Sequence, residues 1–217
     1  MLRPSHLKET MVTKCAILGA SGHGKVVAEI AELNGYSEVH FFDEQWPKLR
    51  HQMHWNIVGN TSSLLNLTGE YDLIIVAIGD NTTRLAKQRE LQDAGGAFKA
   101  LVHPSASVSL YSNLGLGTVV MANAVISPFA SIGESCIINT SATIDHDCTI
   151  SDGVHISPGA NLAGTVKVGE KAWVGIGAQI KQLINIGEGA VIGAGATVVK
   201  NVAHQDVVTG TPAKTNL

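Results

Sequence analysis

Two histidines and one glycine-rich loop carry most of the chemistry this chain can do. His146 stands between Asp145 and Asp147. A carboxylate beside an imidazole orients the ring and raises its basicity, which suits a general base. His155 follows nine residues later, and these two are the only histidines between Leu110 and Val202. Near the other end, Lys14–Leu18 reads as a buried strand running into Gly19-Ala-Ser21-Gly22-His23-Gly24. A helical pattern follows over Lys25–Asn34, then a strand over Val39–Phe42 that ends in Asp43-Glu44. In such a unit the helix start and free backbone N–H groups hold phosphate, and the acid meets a ribose or base. The spacing is G-x-x-G-x-G, not the dinucleotide G-x-G-x-x-G. His23 reads as a contact residue there. Gly79-Asp-Asn81, after a strand over Tyr71–Ile78, is expected to line the same pocket.

The two histidines lie inside a repeat. From Val108 to Val198 every sixth residue is a branched aliphatic, sixteen positions in all. Two places before each stands a second set, nearly all small, with Ile184 as its bulky member. Period six fits neither a helix nor a simple alternating strand. It fits a hexapeptide solenoid, a parallel β-helix with the aliphatics stacked along its axis. Three faces of six residues give 18 residues per coil and so about five coils, on the order of 25 Å in length. His146 and His155 are then half a coil apart, on opposite sides of the prism. They cannot easily share a site within one copy. If prisms pack around a threefold axis, His146 of one copy can approach His155 of the next, so an active site between subunits is expected.

The fold class is therefore an α/β N-terminal unit with a small parallel sheet, residues 12–103, followed by an all-β solenoid with a C-terminal cap, residues 104–217. Gln45–Gly59 reads as irregular, Thr82–Ala94 as a helix and Phe98–Val102 as the last strand of the first unit. Asp206–Lys214 reads as an extended segment that caps or runs along the last coils. Charge is nearly balanced at −3, with 15 Lys and Arg against 18 Asp and Glu, which argues against nucleic acid as a partner. No stretch reaches 18 apolar residues, Met1–Thr10 is polar and unpatterned, and no signal peptide is evident. Cys15, Cys136 and Cys148 fall on buried phases without C-x-x-C spacing. They read as reduced core residues of a cytoplasmic protein, and no metal site is expected.

The segment Asn139-Thr-Ser-Ala-Thr-Ile-Asp-His146-Asp147 through His155 to Gly164 resembles the bacterial hexapeptide acetyltransferases of the sialic-acid O-acetyltransferase and nucleotide-amino-sugar N-acetyltransferase group. The Gly-Ala-Ser-Gly-His-Gly loop and the ending Val199-Lys-Asn201 with Gly210-Thr-Pro-Ala-Lys resemble it too, so the likeness runs over nearly the whole chain from Val12. It implies a left-handed β-helix, a homotrimer and acetyl-CoA as co-substrate. It implies a general base at His146 supported by the next residue, which is often Glu in the family and is the shorter Asp147 here. It implies acetyl-CoA contacts at His155, Gly164, Ile176 and Ala194, and nucleotide-sugar contacts at Ser21, Gly22, His23, Asp43, Glu44 and Gly79. The acceptor it implies is the 4-amino group of a UDP-linked 4-amino-4,6-dideoxy sugar in surface-glycan synthesis. Sialic acid O-acetylation, dTDP- or GDP-linked amino sugars, and a non-catalytic sugar-nucleotide scaffold stand as alternatives. So does a carbonic anhydrase on the same prism, but that chemistry needs three histidines at an interface and the coils offer two.

Overall fold

A computed structural model describes residues 12–215; the polar leader Met1–Thr10 lies outside them. The first unit is built on β1 (Lys14–Leu18), whose Cys-Ala-Ile-Leu run is buried on both faces. It pairs in parallel with β2 (Glu38–Phe42) on one side and with Leu73–Val76 on the other. Between β1 and β2 runs α1 (Gly22–Leu33), which buries Val27, Ala28, Ile30 and Ala31 at helical spacing. The stretch expected to be irregular contains β3 (His51–Gln52) and β4 (Trp55–Gly59), an antiparallel pair whose second strand adds to β2 in parallel. Its turn is Met53-His54, with Met53 at φ 56°. Such turns usually announce themselves as Asn-Gly or Asp-Gly, so this one left no signal.

The helix α2 (Thr61–Asn66) leads to β5 (Leu73–Val76), and α3 (Asn81–Asp93) follows. The sheet order is β3-β4-β2-β1-β5, with every pairing parallel except the hairpin. The strand expected over Phe98–Val102 shrinks to Leu101–Val102 and belongs to the solenoid, where it pairs with Val119–Val120. Its place beside β5 is taken by a single bond, from the Ile74 N–H to the Ala97 carbonyl.

The solenoid has three faces of parallel two-residue strands, each paired with the residue 18 positions on, as in Ile126↔Ile144 and Ile144↔Leu162. Face one runs Leu101, Val119, Ile137, His155, Trp173 and Val191; face two runs Ser107, Val125, Thr143, Asn161, Gln179 and Thr197; face three runs Asn113, Ser131, Thr149, Lys167 and Asn185. The stacked aliphatics from Val120 to Val198 and the small set from Ala124 to Ala196 form one continuous buried column. Val208, beyond the repeat, closes it: Val207–Thr209 pairs with Val191–Ile192 and is itself covered by Lys214–Thr215 in antiparallel register. The bottom coil is thereby capped, as the ending of the sequence suggests.

The two units share a core. The outward side chains of face one at Val119, Met121 and Ile137 pack into the same apolar cluster as Ile17, Val27, Phe41 and Ile75. The α/β unit thus covers the upper coils of face one and leaves Trp173 and Val191 partly exposed. None of the helices among the described residues is long and apolar enough to cross a membrane.

Candidate active site

The glycine loop is tighter than its spacing implied, because α1 already begins at Gly22. The glycines divide by what surrounds them. A Cβ at Gly24 would stand 2.3 Å from the Gly19 carbonyl oxygen and 2.9 Å from Phe41, so this glycine serves helix–strand packing. A Cβ at Gly22 or Gly79 would meet nothing within 4 Å. The open space beside those two is what a ligand approaching the backbone requires. Ser21 stands at the N-cap without a side-chain bond, so the N–H groups opening α1 face outward uncapped. Asp43 braces this loop: its Oδ2 accepts from the Ala20 N–H at 2.8 Å and its Oδ1 from the Gln45 N–H at 2.9 Å. Glu44 accepts from the Thr61 N–H and hydroxyl, at the start of α2. Both acids therefore build the loop wall, with their remaining lone pairs open to a ligand.

Where the α/β unit meets face one, two imidazoles are half-buried, each with one ring nitrogen fully covered. His23 is held at about 4 by burial and then by the nearby Arg84 charge, and His155 at about 3 by burial, Arg84 and His23. Both are neutral near pH 7. The Asn139 Oδ1 accepts from the Thr140 N–H, which fixes the amide orientation and turns its Nδ2 to His155 Nε2 at 3.1 Å. Nε2 is thus the acceptor, and the neutral ring carries its proton on Nδ1. That Nδ1–H has no partner, and neither has Nε2 of His23, although both atoms are buried. Orphaned buried polar atoms are rare in folded proteins, and a water or a bound group would complete the hydrogen bonding of these two. Trp173 stacks on His155 at 5.2 Å between centroids and is itself pinned by its Nε1–H to the Ser157 hydroxyl. Asn139, Trp173 and Arg84 were not singled out from sequence. Asn139 and Trp173 sit on ordinary outward phases, and Arg84 lies among polar residues of a helix.

On the opposite edge, the corner between faces two and three carries His146. Its backbone is pinned by bonds from its N–H to Asp145 Oδ1 and from the Thr165 N–H to its carbonyl. The shorter Asp147 does reach: its Oδ2 lies 2.7 Å from His146 Nδ1. This contact is made with Asp147 in the left-handed region, φ 60°. The Asp147 bond, followed by the Asp145 charge, raises the imidazole above its ordinary value. Nε2 is left for a substrate proton. Gly164, one coil below, lies directly against the ring: a Cβ there would be 2.6 Å from Cε1 and 2.7 Å from Nε2. Ile176 and Ala194 stack at a different corner, between faces one and two, where the Gly195 N–H bonds the Ile176 carbonyl. Within one copy, His146 and Gly164 thus meet, Ile176 and Ala194 meet, and His155 joins His23; the three groups do not converge. Between the first two runs a groove of about 440 Å³ on face two, floored by Thr143, Asn161 and Gln179.

The three cysteines are free and buried, and burial pushes Cys15 and Cys136 up to about 12 and raises Cys148. None is a thiolate nucleophile at neutral pH. Among the described residues no group of three or more His, Cys, Asp or Glu is placed to hold a metal ion.

Residues 14–91 match the family model described as the PglD N-terminal domain. Over 112 residues the chain is 37% identical to UDP-N-acetylbacillosamine N-acetyltransferase of Bacillus subtilis (strain 168), an alignment covering 49% of this chain and 50% of that protein. The chain thus matches about half the length of this curated relative. The acetyltransferase domain of PglB from Neisseria gonorrhoeae FA1090, solved with acetyl coenzyme A, is 39% identical with a TM-score of 0.90, covering 94% of this chain and 98% of that one. PerB from Caulobacter crescentus, solved with CoA and GDP-perosamine, is 35% identical with a TM-score of 0.90, covering 95% and 98%.

Proposed function

This chain belongs to the hexapeptide-repeat, left-handed β-helix acetyltransferases of the PglD, PglB and PerB group, and on that premise we propose that it acetylates the 4-amino group of a nucleotide-linked 4-amino-4,6-dideoxy sugar with acetyl-CoA. The observation that carries the reading is the His146–Asp147 pair, a basic imidazole with a free Nε2 at an exposed corner. Residues 12–103 hold the sugar nucleotide, with its diphosphate at the Ser21–His23 and Gly79 loops and its base toward Asp43 and Glu44. Residues 104–217 hold acetyl-CoA along Ile176 and Ala194.

In the reaction, His146 Nε2 takes a proton from the sugar amine as its nitrogen bonds to the thioester carbonyl carbon. The oxyanion accepts from the Nδ1–H of His155, the donor that otherwise lacks a partner. Collapse breaks the C–S bond, and the sulfur leaves with the proton from His146. Asp147 holds the ring and stabilises its charged form; it does not itself take the proton.

The site is completed by a second copy in a homotrimer. Leu110, Tyr111, Phe129 and Leu183 stand on the His146 corner with exposures of 99%, 70%, 65% and 69%. Phe129 and Leu183 both hold φ 64°, an unfavourable backbone for such side chains. An apolar column kept exposed in this way suits burial against a neighbour, here the part of face one in another subunit that its α/β unit leaves exposed at Trp173 and Val191, beside His155. A cytoplasmic location belongs to this reading. UDP is the favoured nucleotide because the Bacillus subtilis relative is named for a UDP sugar.

The test is a thiol-release assay with acetyl-CoA and UDP-, dTDP- and GDP-linked 4-amino sugars, with sialic acid as the O-acetyl control. Turnover with an amino sugar supports the reading. Binding without thiol release points to a scaffold, and turnover of sialic acid alone overturns N-acetylation.

A further inference from the structure

Beyond helping to keep His23 and His155 neutral, the buried guanidinium of Arg84 takes no part in the chemistry above. Among the described residues Arg84 is the only buried Lys or Arg, at 1% exposure. All five of its N–H groups donate: Nε to the Ser135 carbonyl at 2.8 Å, Nη1 to Ile78 and Gly79 at 3.1 and 3.2 Å, Nη2 to Asn81 Oδ1 and the Gly153 carbonyl at 2.8 Å each. None of these acceptors is a carboxylate. Ser135 and Gly153 are 18 residues apart, the same position in successive coils. Asn81 bonds the next coil, at the Lys171 and Ala172 carbonyls. The helix rises about 5.4 Å per turn and the coils about 4.8 Å, so α3 can address one coil per turn.

Docking alone does not explain the two bonds to Ile78 and Gly79. A trans peptide points its N–H opposite its C=O. With these two carbonyls drawn inward, the N–H groups of Gly79 and Asp80 turn away from Arg84, and neither has a partner among the described residues. Gly79 is also where a Cβ would meet nothing. We propose that Arg84 is a positioning residue that makes Ile78–Asp80 a receptor for the nucleoside diphosphate: carbonyls held in, N–H groups presented out, and behind them a positive charge bonded to no carboxylate. That charge reaches the site, since it helps to keep both His23 and His155 neutral. The proposal rests on the nucleotide-sugar reading of the Gly79 loop.

Calorimetric titration tests it, with UDP, GDP, dTDP and coenzyme A as probes on the assembled wild type and on the R84M and R84K variants. R84M should lose about tenfold or more in affinity for the nucleoside diphosphate, with coenzyme A affinity held within about twofold. R84K keeps the charge but has three donors for five acceptors, and should fall between. If R84M does not fold, R84K carries the test by the same selective loss. Unchanged diphosphate binding in the folded variants, or equal loss for both ligands, overturns the role of Arg84 alone. A wild type that binds none of the three nucleotides overturns the nucleotide reading and this proposal with it.

Discussion

Replacing Gly164 by alanine should displace the His146 ring without touching the histidine itself. The added methyl would stand 2.6 Å from Cε1 and 2.7 Å from Nε2. Ordinary carbon contacts lie near 3.6 Å, so the ring must move by about 1 Å. The backbone at Gly164 is outside the left-handed region, so alanine fits the chain itself. His146 is 57% exposed and swings into solvent, which leaves the fold little affected. The bond of 2.7 Å to Asp147 cannot survive a shift of that size unchanged. A misplacement of about 1 Å at a catalytic group costs roughly 10²-fold in rate, or about 2.7 kcal/mol in barrier. Turnover should fall by that factor in the thiol-release assay, with thermal stability and coenzyme A binding near wild type. Wild-type turnover in G164A would mean that the ring position set by this corner does not matter, and the general-base assignment would fail with it.

His146→Ala should lower turnover by roughly 10²–10⁴ while assembly survives; near-normal turnover would remove His146 from the role. Asp147→Asn removes the main cause of the raised imidazole, so the acidic limb of the kcat/KM profile should move to lower pH; an unmoved limb contradicts the pairing. His23 and His155 sit at about 4 and about 3 in the fold and return to about 6.5 when unfolded. Their folded values are depressed, so below pH 6.5 the unfolded chain binds the extra protons. Stability should fall by about 2 kcal/mol per histidine between pH 7.5 and pH 5, with H155N losing less than wild type in urea melts; equal losses would show that His155 is not buried neutral. The double variant C136A/C148A should keep its turnover, and an acetylated cysteine trapped from wild type would refute direct transfer.

The solenoid was legible because its core is one-dimensional. Each aliphatic from Val120 to Val198 packs on its equivalents 18 residues away, so the pattern is written in the chain at fixed phase. The pairing of His146 with a carboxylate was legible for a local reason, since its two acids are its sequence neighbours. What could not be read was contact between the units. His155 stands on an outward phase, so the neutral state of its ring went unread; the α/β unit covers that face and holds the imidazole uncharged. Arg84 escaped because the stripe Asn81, Arg84 and Gln88 is polar, and a search for apolar periodicity passes over a helix that docks through hydrogen bonds to coil carbonyls. The hairpin at Met53-His54 escaped because its turn lacks glycine and asparagine. Gly164 carried a family expectation of donor contact, while its closest neighbour in the fold is His146 itself.

Subunit complementation tests the intersubunit site most directly. H146A and H155A chains, each inactive alone, would be co-expressed, and mixed trimers isolated by two different tags. If one copy supplies His146 and its neighbour His155, each mixed trimer has one complete site of its three, and turnover returns to about a third of wild type. Mixed trimers as inactive as their parents would contradict it, because both histidines would then have to come from the same chain.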